Sequence, residues 1–167
     1  MQWPEVEGEY VELINGEVTS MPSGHAPHEV VKKNLTKILV LWLAQNSPAE
    51  LFPETMFEVD EYNTVIPDLS VLFPGRIAPG STGWIAGVPE LAIEVVSSES
   101  AARLEDKIRL YLSNGGKSVW VVYPKSRAVW IYDGGGVARR FEESQMLSDP
   151  NVLTGFSVPV SAIFEGV

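Results

Sequence analysis

The chain has 167 residues, of which 45% are hydrophobic and 20% charged, and it contains no cysteine. This composition is typical of a soluble globular protein, and the length suits one domain with its own core. Without cysteine there are no disulfides or thiolate zinc sites. The longest apolar run, residues 38–44, is too short for a membrane span, and the first residues lack a signal-peptide pattern. We therefore predict a cytoplasmic protein with a single domain over residues 1–167.

The formal net charge of −10 bears on possible partners. Nonspecific nucleic-acid binders usually carry a basic stripe, because neutralising phosphates supplies most of their affinity. Here the twelve Lys and Arg residues are scattered, with small groupings at Lys32-Lys33 and Arg139-Arg140. Binding a polyanion would therefore need a local basic patch, a metal ion or a partner subunit.

The N-terminal third predicts a hairpin followed by a helix. Asn15-Gly16 separates residues 9–14 from residues 17–21, and this dipeptide favours the tight type I′ turn of a β-hairpin. After a loop, a helix is predicted over residues 27–45, because apolar residues recur there at helical spacing. This buried stripe consists of Val31, Leu35, Ile38, Leu39 and Trp42.

The middle of the chain predicts three strands and a loop. The strands cover residues 51–59, 65–73 and 90–97, each of them largely apolar. Residues 74–89 are rich in glycine and proline, which predicts an irregular surface loop.

The remainder predicts a second helix and further strands. The helix covers residues 100–114 and ends at a pair of glycines. Residues 118–123 and 128–132 predict a hairpin, and another strand is expected over 137–141. In the tail, residues 152–164, apolar side chains are expected to pack on the core. The result is an α+β (mixed α/β) fold, a mixed sheet flanked by two main helices. No glycine-rich phosphate loop is present, which argues against a doubly wound nucleotide-binding fold.

Two carboxylates interrupt strands that are otherwise apolar on both faces. Asp68 lies in the segment 64–73 and Glu94 in the segment 89–97. An unpaired buried charge is costly, so such carboxylates usually pair with cations or bind metals. Strand periodicity places Asp68 and Ser70 on one face. If the two strands are neighbours with aligned faces, the carboxylates could share Mg²⁺ or Mn²⁺. Alternatively, both carboxylates lie at strand ends and cap loops or pair with arginines.

Lys107 lies on the apolar face of the second predicted helix, between Leu104 and Tyr111. A lysine directed at the core could meet a carboxylate or polarise a substrate phosphate. In the alternative interpretation it snorkels, with a buried stem and a solvated amine.

His28 and Glu12 are further candidates. His28 begins the first helix, where the helix dipole disfavours protonation, so a neutral histidine is expected. It could serve as a metal ligand or proton carrier, or simply be hydrogen-bonded at the helix start. His25 and Glu29 are weaker candidates nearby. Glu12 alternates with apolar residues in the first strand, which predicts an exposed strand glutamate.

Taken together, several segments resemble the Uma-type putative restriction endonucleases. This family is abundant in bacteria, especially cyanobacteria, and belongs to the PD-(D/E)XK nuclease superfamily. The resemblance extends from about Glu9 to Phe164, nearly the whole chain. The segments that carry it are 10–17, His28, 66–69, 89–97, 106–111, Gly116 and 119–124.

The resemblance implies a restriction-endonuclease-like core with a metal site. Asp68 would be the metal-binding aspartate, Glu94 the second carboxylate and the main-chain carbonyl of Val95 a further ligand for Mg²⁺ or Mn²⁺. The superfamily's lysine usually stands two residues after the glutamate, where this chain has Val96. Lys107 would substitute for it, reaching the same space from the helix.

The implied chemistry is Mg²⁺-dependent hydrolysis of DNA phosphodiester bonds by a homodimer, with Asp68, Glu94 and Lys107 as catalytic residues. His28, Glu12 and Ser70 would line the pocket. A second hypothesis is a catalytically silent nuclease fold that acts in dimerisation or regulation, and a third is a hydrolase of another phosphoester that uses the same residues. The acidic charge and the absence of lysine at Val96 favour this second hypothesis.

Overall fold

The computed structural model describes residues 11–20 and 24–167, and within those ranges it contains three helices and thirteen strands. The helices are α1 (Ala26–Asn46), α2 (Ala101–Ser113) and α3 (Val160–Ile163). The strands are β1 (Val11–Ile14), β2 (Glu17–Ser20), β3 (Glu50–Pro53), β4 (Phe57–Asp60), β5 (Asn63–Val65), β6 (Leu69–Leu72), β7 (Ile85–Ala86), β8 (Leu91–Val95), β9 (Ser118–Tyr123), β10 (Ala128–Asp133), β11 (Ala138–Phe141), β12 (Met146–Asp149) and β13 (Leu153–Pro159). The prediction of a mixed α+β fold is confirmed.

A six-stranded mixed sheet forms the centre of the fold. Its strand order is β11-β10-β9-β8-β6-β3, and β8 and β9 are its parallel pair. The connection between these two strands runs through α2, as a parallel pair requires a crossover. A five-stranded sheet has the order β2-β1-β5-β4-β7, and β12 pairs with β13 separately. Because β6 is the antiparallel neighbour of β8, the segments that carry Asp68 and Glu94 lie side by side.

The central sheet is buried on both faces. One apolar cluster combines α1, β12, β13 and α3 with residues such as Ile93 and Trp120 of the sheet. A second cluster combines α2 and the five-stranded sheet with Ala92 and Val121 from the opposite face. The central strands are therefore apolar on both faces, as covered strands should be.

The predicted hairpin and both main helices are confirmed where the structure describes them. Asn15 and Gly16 have φ of 53° and 79°, the positive values that the tight turn requires. Residues 9, 10 and 21 of the predicted hairpin lie outside the described residues. Of the α1 stripe, Val31, Leu35 and Leu39 are buried, while the other two predicted members are partly buried. In the described part of the chain, no helix is both long enough and apolar enough to cross a membrane.

Two segments that were each predicted as one strand are in fact divided between the two large sheets. Residues 51–59 divide into β3 and β4, with Glu54 at φ 45° in the turn between them. Residues 65–73 divide around Pro67, which has no N–H to donate to a ladder. The chain thus crosses from one sheet to the other immediately before Asp68.

The C-terminal region has more regular structure than predicted. β12 was not expected, and residues 152–164, for which only packing on the core was predicted, contain β13 and α3. Of the four apolar residues predicted to pack on the core, Leu153, Phe156 and Ile163 are buried and Val158 is partly buried. The loop 74–89 also contains the short β7, which pairs in parallel with β4.

Candidate active site

Asp68 lies at the entrance to β6, opposite the end of β8. The register pairs Leu69 with Ile93, so its continuation by one residue places Asp68 beside Glu94. The Asp68 carboxylate is buried, and its Oδ2 accepts a hydrogen bond from the backbone N–H of Val95 at 2.7 Å. The local backbone therefore holds this carboxylate in place.

His28 contacts the other oxygen of Asp68. Its Nε2 is 3.0 Å from Asp68 Oδ1, and its Nδ1 is 3.0 Å from Glu29 Oε1. Since both ring nitrogens face carboxylates, both are placed to donate, which is the pattern of an imidazolium. The hydrogen bond to Asp68 is the main reason that the pKa of His28 is raised. The two carboxylates thus favour the protonated imidazole, which opposes the effect of the helix dipole on which the expectation of a neutral histidine was based.

Glu94 is buried at the end of β8 on the side of α2. Its Oε1 lies 2.7 Å from Lys107 Nζ and accepts a hydrogen bond from Tyr111 Oη at 2.7 Å. Burial raises the pKa of Glu94 to about 8, against the opposing attraction of Lys107. Repulsion from Asp68 also raises this pKa, so the two carboxylates are close enough to interact.

Lys107 is buried to its amine, with a side chain only 2% exposed. Its Nζ lies between Glu94 Oε1 at 2.7 Å and Glu12 Oε1 at 2.9 Å. Burial alone would lower the pKa of Lys107, but the two carboxylates outweigh it and raise the pKa above its ordinary value. Lys107 thus does not snorkel, and it carries a proton.

Glu12 is buried, so the prediction of an exposed strand glutamate was wrong. Glu12 is only 2% exposed. In addition to its contact with Lys107, its carboxylate accepts a hydrogen bond from the backbone N–H of Ile66 at 2.9 Å. Its Oε2 is 3.2 Å from a guanidinium nitrogen of Arg103. The alternation of polar and apolar residues in β1 predicts that Glu12 faces solvent, but α2 covers that face of the strand.

The other candidates contribute less to the site. Ser70 is fully buried, and its hydroxyl donates to the carbonyl of Phe52 at 3.0 Å, which ties β6 to β3. His25 is exposed and precedes α1 without a side-chain capping bond. Val96 is partly buried, and its N–H donates to the carbonyl of Val122.

Three residues of the site were not identified from the sequence. Tyr111 and Arg103 stand four residues after and before Lys107 on one face of α2, a helical spacing that could have revealed them. Glu99 precedes α2 in a loop without periodicity, and burial raises the pKa of its carboxyl group.

The charged side chains that form the ion pairs of the site are together called the buried ionic cluster: Glu12, His28, Asp68, Glu94, Arg103 and Lys107. In the described ranges, no three His, Asp or Glu side chains are arranged to hold a metal ion by themselves. Mg²⁺, however, is usually bound by one or two carboxylates and completes its shell with water. Asp68 and Glu94 provide oxygen donors of that kind, at facing positions of neighbouring strands. The donor set therefore fits such an ion.

Comparisons with known proteins are consistent with this architecture. A solved structure described as a putative nuclease of the DUF820 family from Anabaena variabilis has a TM-score of 0.81 and 21% identity, over 92% of this chain and 89% of that chain. At this identity the likeness establishes the fold. A DrdV–DNA complex reaches a TM-score of only 0.38 at 18% identity, over 84% of this chain and 14% of that chain, which carries no argument.

None of the curated proteins matches the chain. The family model of Uma2, described as putative restriction endonuclease, matches residues 1–161. With this match over nearly its whole length, the chain belongs to the Uma2 family of putative restriction endonucleases.

Proposed function

We propose that this protein is a metal-dependent endonuclease that hydrolyses DNA phosphodiester bonds at the buried ionic cluster. The observation that carries the proposal is the contact between the charged amine of Lys107 and the carboxyl group of Glu94. Glu94 lies at the end of β8, beside Asp68. Two carboxylates and a lysine at one sheet end are the residue types that phosphoryl chemistry needs. Membership of the Uma2 family supports the same conclusion.

Asp68, Glu94 and the main-chain carbonyl of Val95 would hold Mg²⁺ or Mn²⁺. When bound, such an ion lowers the pKa of a coordinated water and stabilises charge that develops on the phosphate. The N–H of Val95 orients Asp68 Oδ2, and His28 orients Oδ1. The carboxylate is thus positioned before any substrate binds.

Lys107 would stabilise negative charge rather than accept a proton. Its raised pKa keeps it protonated at neutral pH, which makes it a poor general base. A protonated amine can hydrogen-bond a phosphate oxygen and offset charge that increases in the transition state. This role needs no lysine at position 96, since the Lys107 amine reaches Glu94 from α2.

A specific observation favours a second candidate, a catalytically silent nuclease fold. Lys107 is bound on two sides by Glu94 and Glu12, and Asp68 is bound by His28. Such pairing could serve to hold the core together, and the protein would then act through dimerisation or regulation.

Plasmid cleavage with Mg²⁺ or Mn²⁺ tests the proposal. We expect nicking by the wild type and its loss in Asp68→Ala and Lys107→Ala, each by roughly 100-fold or more, as removal of a single electrostatic group typically costs. Asp106→Ala, which removes a partly exposed carboxylate that pairs with Arg109 on α2, is the matched control and should cleave normally.

Mn²⁺ binding by calorimetry separates the two candidates. Under the endonuclease proposal, binding is saturable in the wild type and absent in Asp68→Ala. Unchanged binding in that variant would defeat the site assignment. Strong destabilisation of Lys107→Ala, about 3–5 kcal/mol for a broken buried pair, together with no metal binding would favour the silent fold.

The proposal extends to assembly and location. Cutting two antiparallel strands is simplest with two symmetric sites, so we expect a homodimer acting on DNA in the bacterial cytoplasm. Sedimentation equilibrium at micromolar concentration measures the assembly state directly, and a monomer would contradict this part of the proposal.

A further inference from the structure

An open groove of about 570 Å³ runs along the outward face of α1. Lys32, Lys33 and Lys37 line it, together with apolar atoms of Val40 and Leu41. Val40 and Leu41 are 48% and 56% exposed, so the apolar part of the groove is open to solvent. Three cations within six residues are a local exception in a chain of net charge −10.

Two of these lysines carry charges that no acidic side chain among the described residues neutralises. Lys32 contacts Glu29 and Glu54, but among the described residues Lys33 and Lys37 form no ion pair. Both are exposed, and they stand four residues apart, about 6 Å along the helix axis. Like charges at this spacing repel each other, and a bound anion would relieve that repulsion.

The groove begins next to the buried ionic cluster. Lys32 Nζ is 2.8 Å from Glu54 Oε1, and the backbone N–H of Glu54 donates to the carbonyl of Asp68 at 3.1 Å. Glu29, which also lines the groove, contacts His28. A chain lying in the groove would therefore pass close to Asp68.

We propose that this groove binds the sugar–phosphate backbone of the DNA substrate, with Lys33 and Lys37 on successive phosphates and Val40 and Leu41 against the sugars. The inference rests on the proposed function, since it places the substrate beside the cleavage site. It also explains how an acidic protein holds a polyanion, because the local patch, not the net charge, makes the contact.

The test is the affinity for a fluorescent DNA duplex, measured by anisotropy in EDTA so that no cleavage occurs. We compare the wild type with Lys33→Glu/Lys37→Glu. The matched control is Arg109→Glu/Lys117→Glu, which changes the net charge equally at exposed positions on α2 and before β9. The groove variant should bind at least tenfold more weakly, and its plot of log K against log salt should be shallower by about two. The control should stay within about threefold of the wild type.

An equal loss of DNA affinity in both double variants would overturn the assignment of the groove as the DNA-binding surface. The absence of DNA binding by the wild type would overturn it as well. A shift in sedimentation confined to the groove variant would overturn it too, since the groove would then join two copies of the chain. Cleavage that does not depend on the groove would leave the endonuclease proposal intact. Groove-dependent binding without cleavage would instead support the groove and contradict the endonuclease.

Discussion

Lys107 is the residue on which the charges of the site converge. Its amine is within 2.9 Å of both Glu94 and Glu12, so one ammonium group contacts two buried acidic side chains. Taking charges out of water is repaid only when geometry is good and the remaining lone pairs are satisfied. Tyr111 satisfies one of them by donating to Glu94 at 2.7 Å. Contacts within the protein therefore hold these groups in place, which is the preorganisation that the proposed activity would use.

Tyr111→Phe removes that hydrogen bond and leaves the ring in place. Because a buried acceptor then lacks one of its donors, we expect the free energy of unfolding to fall by about 1–3 kcal/mol, measured by urea denaturation. Tyr62→Phe, on an exposed ring, is the control and should change stability little. Equal stability of Tyr111→Phe and the wild type would show that Glu94 finds another donor.

Glu99 should make stability depend on pH. Burial raises its pKa in the folded protein, so the folded state binds its proton more tightly than the unfolded state. Ionisation of Glu99 therefore destabilises the folded state. This destabilisation is absent below the ordinary pKa of the carboxyl group and reaches its full size above the raised pKa. Glu99→Gln should thus match the wild type at pH 4 and exceed its stability at pH 8.

Thermal unfolding at the two pH values measures this difference, with Glu105→Gln on the exposed face of α2 as control. A Glu99→Gln variant that is less stable than the wild type at pH 8 would contradict the sign.

At the scale of elements, α2 carries Arg103, Lys107 and Tyr111 to the site, so its two ends set the geometry. Ser100 caps its N-terminus by accepting a hydrogen bond from the N–H of Arg103. At the other end, the N–H of Gly116 donates to the carbonyl of Tyr111 at 3.0 Å. The helix is thereby fixed between β8 and β9.

Gly116→Ala should loosen this end of α2. A Cβ at Gly116 would lie 2.8 Å from the carbonyl oxygen of Tyr111, which is a steric clash. A backbone oxygen cannot relieve the clash by a change of rotamer, as a flexible side chain could. We expect a loss of about 1–3 kcal/mol in the free energy of unfolding, measured in urea. Gly134→Ala, where a Cβ meets nothing within 4 Å, is the control. Similar stability of the two variants would mean that the backbone relaxes freely.

Across the whole molecule, Glu12 connects the two large sheets. It lies on β1 of the five-stranded sheet, yet its carboxylate contacts Lys107 and Arg103 of α2, which packs on the central sheet. It also holds Ile66 at the crossover that leads to Asp68. The hairpin and the central sheet should therefore unfold together.

Glu12→Gln tests this coupling. We expect a loss of about 1–3 kcal/mol, since an amide of the same shape cannot replace two contacts to cations. The transition should remain single when it is followed by both tryptophan fluorescence and circular dichroism. Glu17→Gln, exposed on the same hairpin, serves as control. A separate early transition of the hairpin in the wild type would disprove the coupling.

Local signals in the sequence were enough for the parts of the fold that depend on neighbouring residues. The turn at Asn15-Gly16, the stripe of α1 and the span of α2 follow from periodicity and turn chemistry within about a dozen residues. Asp68 and Glu94 were also evident, because a charge in a strand that is apolar on both faces is costly wherever the strand lies. These features needed no knowledge of the partner elements.

The tertiary structure decided which groups meet. Glu12 is 54 residues from Ile66 and 91 from Arg103 along the chain, so no local pattern could show its burial or its partners. The raised pKa of His28 likewise depends on Asp68, which only the fold brings to the start of α1. The sequence by itself determined the hairpin, the two main helices and the two carboxylates, because those depend on local backbone preference and on the cost of burying charge. The ion pairs and the crossings between sheets depend on contacts between distant residues, which exist only once the chain has folded.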